Sequence, residues 1–234
     1  MPNAMQHRGA ILPNVNGAAV GPRIDTATAQ QERIGYEFAK RSLDIIATGL
    51  GLTLLAPVFA IVALAIRLDS PGAVLFSQTR VGKNGKSFRC WKFRSMYVDA
   101  EERKAALMAE NEMAGGVIFK MKRDPRITRI GRFIRKASID ELPQLWNVLV
   151  GDMSLVGPRP AVPSEVSQYT PYERLRLQVK PGITCFWQVS GRSNLPFDEQ
   201  VRLDIHYAEV RSFWVDISLL LKTVPAVLFA RGAY

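Results

Sequence analysis

Two adjacent carboxylates, Asp140 and Glu141, stand at the start of a predicted helix with basic residues on either side. Four arginines lie upstream, between residues 126 and 135, and Arg159 lies downstream between two prolines that fix its loop. An aspartate can attack a phosphorus atom and hold a covalent intermediate, while arginines and Mg²⁺ can neutralise the developing charge. The pattern therefore predicts phosphoryl-transfer chemistry at this carboxylate pair.

Each of these residues also has an ordinary structural interpretation. Ser138 followed by Glu141 is the pattern of a capping box with Ser138 as the N-cap, and acids at a helix start suit the helix dipole. The four arginines are equally typical of a solvated face or of contact with anionic lipid head groups. Arg159 is also compatible with a plain surface turn. Catalytic and structural roles both stay open on these residues alone.

Other catalytic motifs are incomplete or absent in the sequence. Gly85-Lys86-Ser87 matches only the end of a P-loop, because Arg80 stands where the motif requires its first glycine. There is no Gly-x-Ser-x-Gly elbow, which argues against a hydrolase of that type. The two cysteines and two histidines lack the spacing of a zinc site, and a reduced, cytosol-facing protein is the simpler interpretation.

The chain has a formal net charge of +10, from 31 Lys and Arg against 21 Asp and Glu. This excess suits nucleic acid, an anionic membrane surface or a phosphorylated substrate. A nucleic-acid-binding protein would account for the charge but not for the long apolar segment that follows residue 42, and no nucleic-acid-binding motif is present. We therefore expect no nucleic acid among the partners.

From Leu43 to Leu68 the chain is almost wholly apolar, which is long enough for a membrane helix. Pro57, near the middle, is expected to kink this helix. Basic residues precede and follow the apolar run, so both ends are expected on the cytoplasmic face. A kinked helix that enters one leaflet and returns satisfies both observations. A kinked full span and a helix buried in a soluble core are the alternatives.

Three regions follow from these patterns. Residues 1–32 have few large apolar side chains and are predicted to be a disordered tail. Residues 33–70 are predicted to form the re-entrant membrane helix. Residues 71–234 are predicted to be a cytosolic catalytic domain whose apolar C-terminal helix, broken at Pro225, lies in the membrane interface.

Local patterns within the last region predict mostly helices and one hairpin. Asn84-Gly85 is a type I′ turn dipeptide between alternating apolar segments. A helix after Glu141 is predicted to end at Gly151, and further helices are predicted over 99–114, 171–179 and 197–211. The expected fold class is α-rich with a small β-hairpin, in a monotopic membrane protein with a re-entrant kinked helix and interfacial amphipathic helices.

A series of longer motifs runs in order from about Tyr36 to Tyr234. They are Lys40-Arg41-Ser42-Leu43-Asp44, Phe76-Ser77-Gln78-Thr79-Arg80-Val81-Gly82, Lys92-Phe93-Arg94-Ser95-Met96, Ser138 to Leu145, Ser154-Leu155-Val156-Gly157-Pro158-Arg159-Pro160, Lys180-Pro181-Gly182-Ile183-Thr184 and Trp187-Gln188-Val189-Ser190-Gly191-Arg192. This series resembles the bacterial sugar transferases, monotopic phosphoglycosyl transferases that begin exopolysaccharide and glycoconjugate assembly.

The resemblance implies an activity and its partners. A hexose-1-phosphate, of galactose or glucose, would pass from a UDP-sugar to undecaprenyl phosphate through an aspartyl-phosphosugar, releasing UMP as the first step of exopolysaccharide repeat-unit assembly. The partners would be these two substrates and the lipids of the bacterial inner membrane, at its cytoplasmic face. A homo-oligomer stays an open alternative.

The same resemblance assigns roles to individual residues. Asp140 and Glu141 would be the catalytic pair and would hold Mg²⁺, with Asp140 as the nucleophile and Glu141 as a metal ligand or base. Pro57 would break the membrane helix. Phosphate or substrate binding would fall to Arg159, Lys92, Arg94, Arg80 and Arg192. A membrane-anchored scaffold that has lost catalysis is the remaining alternative, and the intact carboxylate pair argues against it.

Overall fold

A computed structural model describes residues 26–107, 121, 124–190 and 195–228. Its helices are α1 (Thr26–Asp69), α2 (Ala100–Leu107), α3 (Arg129–Lys136), α4 (Gln144–Val150), α5 (Pro163–Val166), α6 (Phe186–Ser190), α7 (Phe197–Val210) and α8 (Phe213–Leu228). Its strands are β1 (Leu75–Val81), β2 (Ser87–Phe93), β3 (Ser154–Val156) and β4 (Gly182–Thr184). The predicted helix-rich fold with a small sheet is confirmed.

The predicted hairpin is formed by β1 and β2, which pair antiparallel with Leu75 opposite Phe93. Asn84 and Gly85 have φ angles of 57° and 79°, the positive values that a type I′ turn requires. A second, parallel pair of three-residue strands, β3 and β4, was not predicted. Such short strands give no alternating pattern that a sequence could reveal.

Helix α1 exposes a long apolar surface. Its most apolar 18-residue window has a mean hydropathy of 2.4, yet only 11% of that window is buried. A core helix of a soluble protein would bury most of its side chains, so this exposure favours a helix in contact with lipid. The helix continues through Pro57 rather than ending there, and the predicted kink stays a prediction.

Both ends of this apolar run contact the same globular body. Near its start, an Asp44 carboxylate oxygen accepts hydrogen bonds from Ser154 Oγ at 3.1 Å and Leu155 N at 2.9 Å. At its end, Asp69 accepts a hydrogen bond from Ile130 N at 3.0 Å. Asp44 and Asp69 would be roughly 37 Å apart along a straight helix, more than the hydrocarbon thickness of a bilayer.

Small buried clusters pack together the elements that carry the longer sequence motifs. One cluster packs β2 and α4 together through Cys90, Val148 and Met153. Another packs β3 against α7 and α8 through Val156, Tyr207 and Leu219. Each fully buried apolar side chain of this kind contributes about 1.5–3 kcal/mol, so β2, α4 and β3 keep fixed relative positions.

Three helix predictions differ in detail from the structure. Helix α7 confirms the helix expected over 197–211, whereas 171–179 contains a short 3₁₀ helix, Glu173–Gln178. Helix α8 continues through Pro225, which was expected to break it. Of the helix expected over 99–114, α2 is described and the part after Leu107 lies outside the described residues. Most of the expected tail, 1–32, also lies outside them, and α1 begins at Thr26.

Candidate active site

The carboxylate pair lies in its own 3₁₀ turn, Ile139–Glu141, between α3 and α4. The predicted capping box is wrong: Ser138 adopts a left-handed conformation, with φ 55°, and its side chain makes no capping hydrogen bond. Helix α4 begins only at Gln144, after Pro143, so Glu141 does not occupy its first turn. A left-handed non-glycine residue costs on the order of 1–3 kcal/mol, and such residues cluster at functional sites.

Glu141 is held by two cations from distant parts of the chain. Lys92 Nζ, on β2, donates a hydrogen bond to Glu141 Oε1 at 2.6 Å. Arg159 Nη1, in the loop after β3, lies 3.4 Å from the same oxygen. Burial alone raises the pKa of the Glu141 carboxyl, but the charges of Lys92 and Arg159 outweigh it and hold this pKa well below its ordinary range. Glu141 is therefore ionised at neutral pH.

Asp140 has the opposite environment although it is the next residue. Its side chain is buried, with 7% of the residue exposed, and no hydrogen bond from the described residues reaches its carboxylate oxygens. Burial raises the pKa of Asp140, Lys92 counteracts part of that rise, and the negative charge of Glu141 adds to it. A poorly solvated, unpartnered carboxylate is a stronger nucleophile than one surrounded by donors.

A pocket of about 240 Å³ opens beside the pair and has a cationic lining. Arg80, Lys92 and Arg159 line it together with one carboxylate, Glu141. Arg80 donates to Pro160 O at 2.9 Å, while its buried Nε has no partner within the described residues. Burial, and then the like charge of Arg159, lower the pKa of Arg80. An anion such as a phosphate would relieve this crowding of positive charge.

Two glycines allow the loop that carries Arg159 to approach β4. A Cβ atom on Gly182 would lie 2.0 Å from Gly157 N, and one on Gly157 would lie 2.3 Å from Lys180 O. Gly157 N donates to Thr184 O at 3.0 Å, and Gly182 N donates to Pro158 O at 2.9 Å. This close backbone contact, which larger residues would prevent, fixes the start of the Arg159 loop.

The structure brings four predicted residues together, namely Asp140, Glu141, Lys92 and Arg159, with Arg80 on the same pocket wall. It does not bring Arg94 there. Arg94 is buried and donates to Ser70 O at 2.7 Å and Pro71 O at 2.5 Å, so it caps the C-terminal end of α1. Arg192 lies outside the described residues.

The four upstream arginines have different environments rather than one shared face. Arg126 is buried in an ion pair with Asp124 at 2.6 Å. Arg129 and Arg132 are exposed on α3. Arg135, half-buried on the same helix, is near enough to lower the pKa of Asp140 electrostatically.

Two pocket residues were not singled out from the sequence. Gln144 and Gln188 both line the pocket, and Gln144 is buried. Gln144 follows Glu141 by three residues, a spacing that brings two side chains to one side of a helical segment, and this signal was available. Gln188 reaches the pocket only through the packing of α6, which the sequence does not reveal.

The carboxylates also offer oxygen ligands for a metal. The described residues contain no group of three or more His, Cys, Asp or Glu side chains placed to hold an ion. Mg²⁺ does not require one, because it commonly binds one or two carboxylates together with waters and substrate phosphates. Asp140 and Glu141 Oε2 accept no hydrogen bond from the described residues, so this donor set fits Mg²⁺.

Comparison with known proteins places the chain in a family. Residues 35–230 match the family described as "Bacterial sugar transferase". "Galactosyl transferase CpsE" of Streptococcus agalactiae serotype III (strain NEM316) is 48% identical over 91% of this chain and 47% of that protein. "UDP-glucose:undecaprenyl-phosphate glucose-1-phosphate transferase" of Escherichia coli (strain K12) is 38% identical over 95% of this chain and 46% of that protein.

A shorter relative matches over nearly its whole length. "Exopolysaccharide production protein ExoY" of Rhizobium meliloti (strain 1021) is 38% identical over 84% of this chain and 88% of that protein. The chain thus spans about half the length of CpsE and of the glucose-1-phosphate transferase, and most of ExoY. Since the family match covers most of the sequence, the chain belongs to the bacterial sugar transferase family.

Proposed function

We propose that this protein transfers a hexose-1-phosphate from a UDP-sugar to undecaprenyl phosphate and releases UMP. The observation that carries the proposal is the Asp140 carboxylate, which accepts no hydrogen bond from the described residues and lies beside a pocket with a cationic lining. The names of the relatives support galactose or glucose as the sugar and undecaprenyl phosphate as the acceptor. The name of ExoY supports a place in exopolysaccharide production, as the first step of repeat-unit assembly.

In the first step, an Asp140 oxygen attacks the sugar-linked phosphorus of the UDP-sugar. A new P–O bond forms to Asp140, and the bond from that phosphorus to the bridging oxygen of the diphosphate breaks. UMP leaves with the bridging oxygen and its electron pair. Lys92, Arg80 and Arg159 line the pocket, where they are suited to neutralise the charge that develops on the phosphate oxygens.

In the second step, a phosphate oxygen of undecaprenyl phosphate attacks the phosphorus held on Asp140. The new bond is a phosphoanhydride, and the P–O bond to Asp140 breaks to restore the carboxylate. One phosphoanhydride replaces another over the whole cycle, so the lipid product must be consumed by later reactions to keep the flux forward.

Glu141 has two proposed roles, metal ligand and base, and its surroundings favour the first. Its pKa is held well below the ordinary range, so it accepts a proton poorly at neutral pH. Asp140 and Glu141 would hold Mg²⁺, which supplies positive charge to the diphosphate when bound. Through Oε1, Glu141 also orients Lys92 and Arg159.

We further propose that α1 is re-entrant and that the body lies on the cytoplasmic face of the inner membrane. The contacts of Asp44 and Asp69 support this path, because a full span would place these two residues at opposite faces of the bilayer. The exposed apolar side chains of α8, which include Trp214, Leu221 and Val224, would then rest in the interface.

The test is UMP release by the detergent-purified full chain with Mg²⁺, undecaprenyl phosphate and a panel of UDP-sugars that includes UDP-galactose and UDP-glucose. Asp140→Asn is compared with Asp198→Asn, which changes an exposed carboxylate on α7 that does not line the pocket. We expect release with one or both hexoses, lost in Asp140→Asn and retained in Asp198→Asn. Folded protein that releases no UMP with any donor would overturn the proposal and favour a scaffold.

A further inference from the structure

A second pocket lies apart from the carboxylate pair, between residues 37–44 of α1, the turn before β4 and the junction of α7 and α8. It encloses about 370 Å³, part of it open to solvent. Five basic residues line it, with two carboxylates, Glu37 and Asp44. The five are Lys40, Arg41, Lys83, Lys180 and Arg211. It has no lining residue in common with the pocket beside Glu141.

Two of the five cations already have carboxylate partners. Lys40 Nζ lies 2.7 Å from Asp216 Oδ2, and Arg211 Nη2 lies 3.2 Å from Glu37 Oε1. Arg41 is different, because it donates to two neutral backbone oxygens, Val148 O at 2.6 Å and Leu149 O at 2.7 Å. Those bonds use one donor on each terminal nitrogen of Arg41, which forms no ion pair with a carboxylate of the described residues.

The side chains of Lys83 and Lys180 form neither a hydrogen bond nor an ion pair with any described residue. A Cβ atom on Gly151 would lie 3.5 Å from Arg41 Nη2 and 3.7 Å from Lys180 Nζ, so these two cations share a small space. Burial, and then the charge of Arg41, lower the pKa of Lys180. Asp44 forms no ion pair with a described residue and accepts two hydrogen bonds, while its charge partly opposes the lowering of the pKa of Lys180.

The pocket lies beside exposed apolar side chains of α1 and α8. Ile45 and Ile46 follow Asp44 on α1, and both are exposed. On the other wall, Arg211 is followed by Trp214, which is 76% exposed. Apolar side chains that face lipid, next to a cationic pocket, place that pocket at the depth of the phospholipid head groups.

We propose that this pocket binds the phosphate of an anionic phospholipid head group from the bilayer beside α1, with Arg41, Lys83 and Lys180 as its cations. The excess of positive charge in the lining favours an anionic lipid over a zwitterionic one. The inference requires that α1 contacts lipid, but it does not depend on the proposed reaction.

The test is a titration of the detergent-solubilised full chain with phosphatidylglycerol, read out by native mass spectrometry. Lys83→Gln and Lys180→Gln are measured singly and combined. Lys86→Gln is the matched control, because it removes a charge from the same hairpin turn but is exposed and outside the pocket. We expect saturable binding that weakens about fivefold in each single variant, about thirtyfold in the double variant and not in the control.

Parallel titrations with phosphatidylcholine and inorganic phosphate separate the sources of the anion. Preference for phosphatidylglycerol over phosphatidylcholine, lost in the double variant, supports the proposal. Equal binding of the two lipids, or equal phosphatidylglycerol binding by the wild type and the double variant, would overturn it. Inorganic phosphate that displaces phosphatidylglycerol completely at equal concentration would assign the pocket to a soluble anion instead. None of these readouts requires UMP release.

Discussion

Two lysine–carboxylate pairs in this protein have nearly the same geometry and very different surroundings. Lys40 and Asp216 join α1 to α8 with an N–O distance of 2.7 Å, and Lys92 and Glu141 join β2 to the turn before α4 at 2.6 Å. Around Asp216 every carboxylate oxygen has a partner, since Tyr207 donates to Oδ1 at 2.7 Å. Next to Glu141, by contrast, the Asp140 carboxylate accepts no hydrogen bond from the described residues.

This difference separates a structural site from the proposed reactive one. At Asp216, Tyr36 adds a third hydrogen bond, so the buried charges are fully satisfied and hold α1 on the body. At the other pair, Glu141 contacts two cations, while the Asp140 oxygens accept no hydrogen bond within the part of the chain that the structure describes. The same pair of residue types thus anchors a helix in one place and, in the other, lies beside the carboxylate that we propose as the nucleophile.

The largest expected effect comes from breaking the ion pair between Lys40 and Asp216. Asp216→Ala leaves Lys40 buried without a counter-charge, which costs about 3–5 kcal/mol. We expect the thermal unfolding midpoint of the detergent-solubilised chain to fall by on the order of 10 °C. Asp198→Ala, on an exposed turn of α7, should change it little. An unchanged midpoint in Asp216→Ala would show that this network does not anchor α1.

The next effect concerns catalysis rather than stability. Arg159→Gln removes a cation from the pocket of Glu141, and we expect kcat for UMP release to fall by about 10²–10³ with little change in the unfolding midpoint. Arg159→Lys should recover part of the loss. Arg202→Gln, which breaks an exposed pair with Glu199, serves as the control. Equal activity of the Arg159→Gln and Arg202→Gln variants would show that Arg159 does not contribute to UMP release.

A smaller effect distinguishes the adjacent carboxylates by the sign of their contribution to stability. The pKa of Asp140 is raised by folding, so ionised Asp140 destabilises the fold at any pH above that pKa, and Asp140→Asn should raise the unfolding midpoint at pH 7. The pKa of Glu141 is lowered, so its contribution is stabilising above the unfolded pKa of about 4.3, and Glu141→Gln should lower the midpoint.

Each shift should be about 2–4 °C for every kcal/mol involved. Scanning calorimetry or dye fluorescence on both variants checks the pair of signs. Shifts in the same direction for the two variants would contradict the opposite environments described for Asp140 and Glu141.

The smallest effect is on the pH dependence of the first step. Asp140 attacks only as the carboxylate, so UMP release should fall as the pH drops through its raised pKa, above the ordinary range of an aspartate. Lys92 lowers this pKa, so Lys92→Gln should move the acid limb to higher pH. Single-turnover rates across the pH range measure the limb. An acid limb at the same pH in Lys92→Gln and the wild type would show that Lys92 does not lower the pKa of Asp140.

The sequence predicted the elements whose signals are local. Asn84-Gly85 identified the hairpin, because a two-residue turn depends only on its neighbours, and a helix was predicted over 197–211, where α7 lies. The long apolar run of α1 was also evident from composition alone. The carboxylate pair stood out because two acids among many arginines are unusual.

What the sequence did not reveal depends on contacts between distant segments. Glu141 meets Lys92 across 49 residues and Arg159 across 18, and these partners replace the expected capping role. Arg94 resembled a phosphate ligand but instead caps α1, because the carbonyl oxygens at the end of this helix have no partner within it and Arg94 donates to Ser70 O. The parallel pairing of β3 and β4 is likewise set by close contact of Gly157 and Gly182.

The most direct test of the central claim, that Asp140 is the nucleophile, is intact-protein mass spectrometry after incubation with Mg²⁺ and the preferred UDP-sugar, without lipid acceptor. We predict an adduct with the mass of one phosphohexose, located on the peptide that contains Asp140, absent in Asp140→Asn and discharged by undecaprenyl phosphate. UMP release that requires both substrates together, with no adduct at any time, would contradict a covalent intermediate on Asp140.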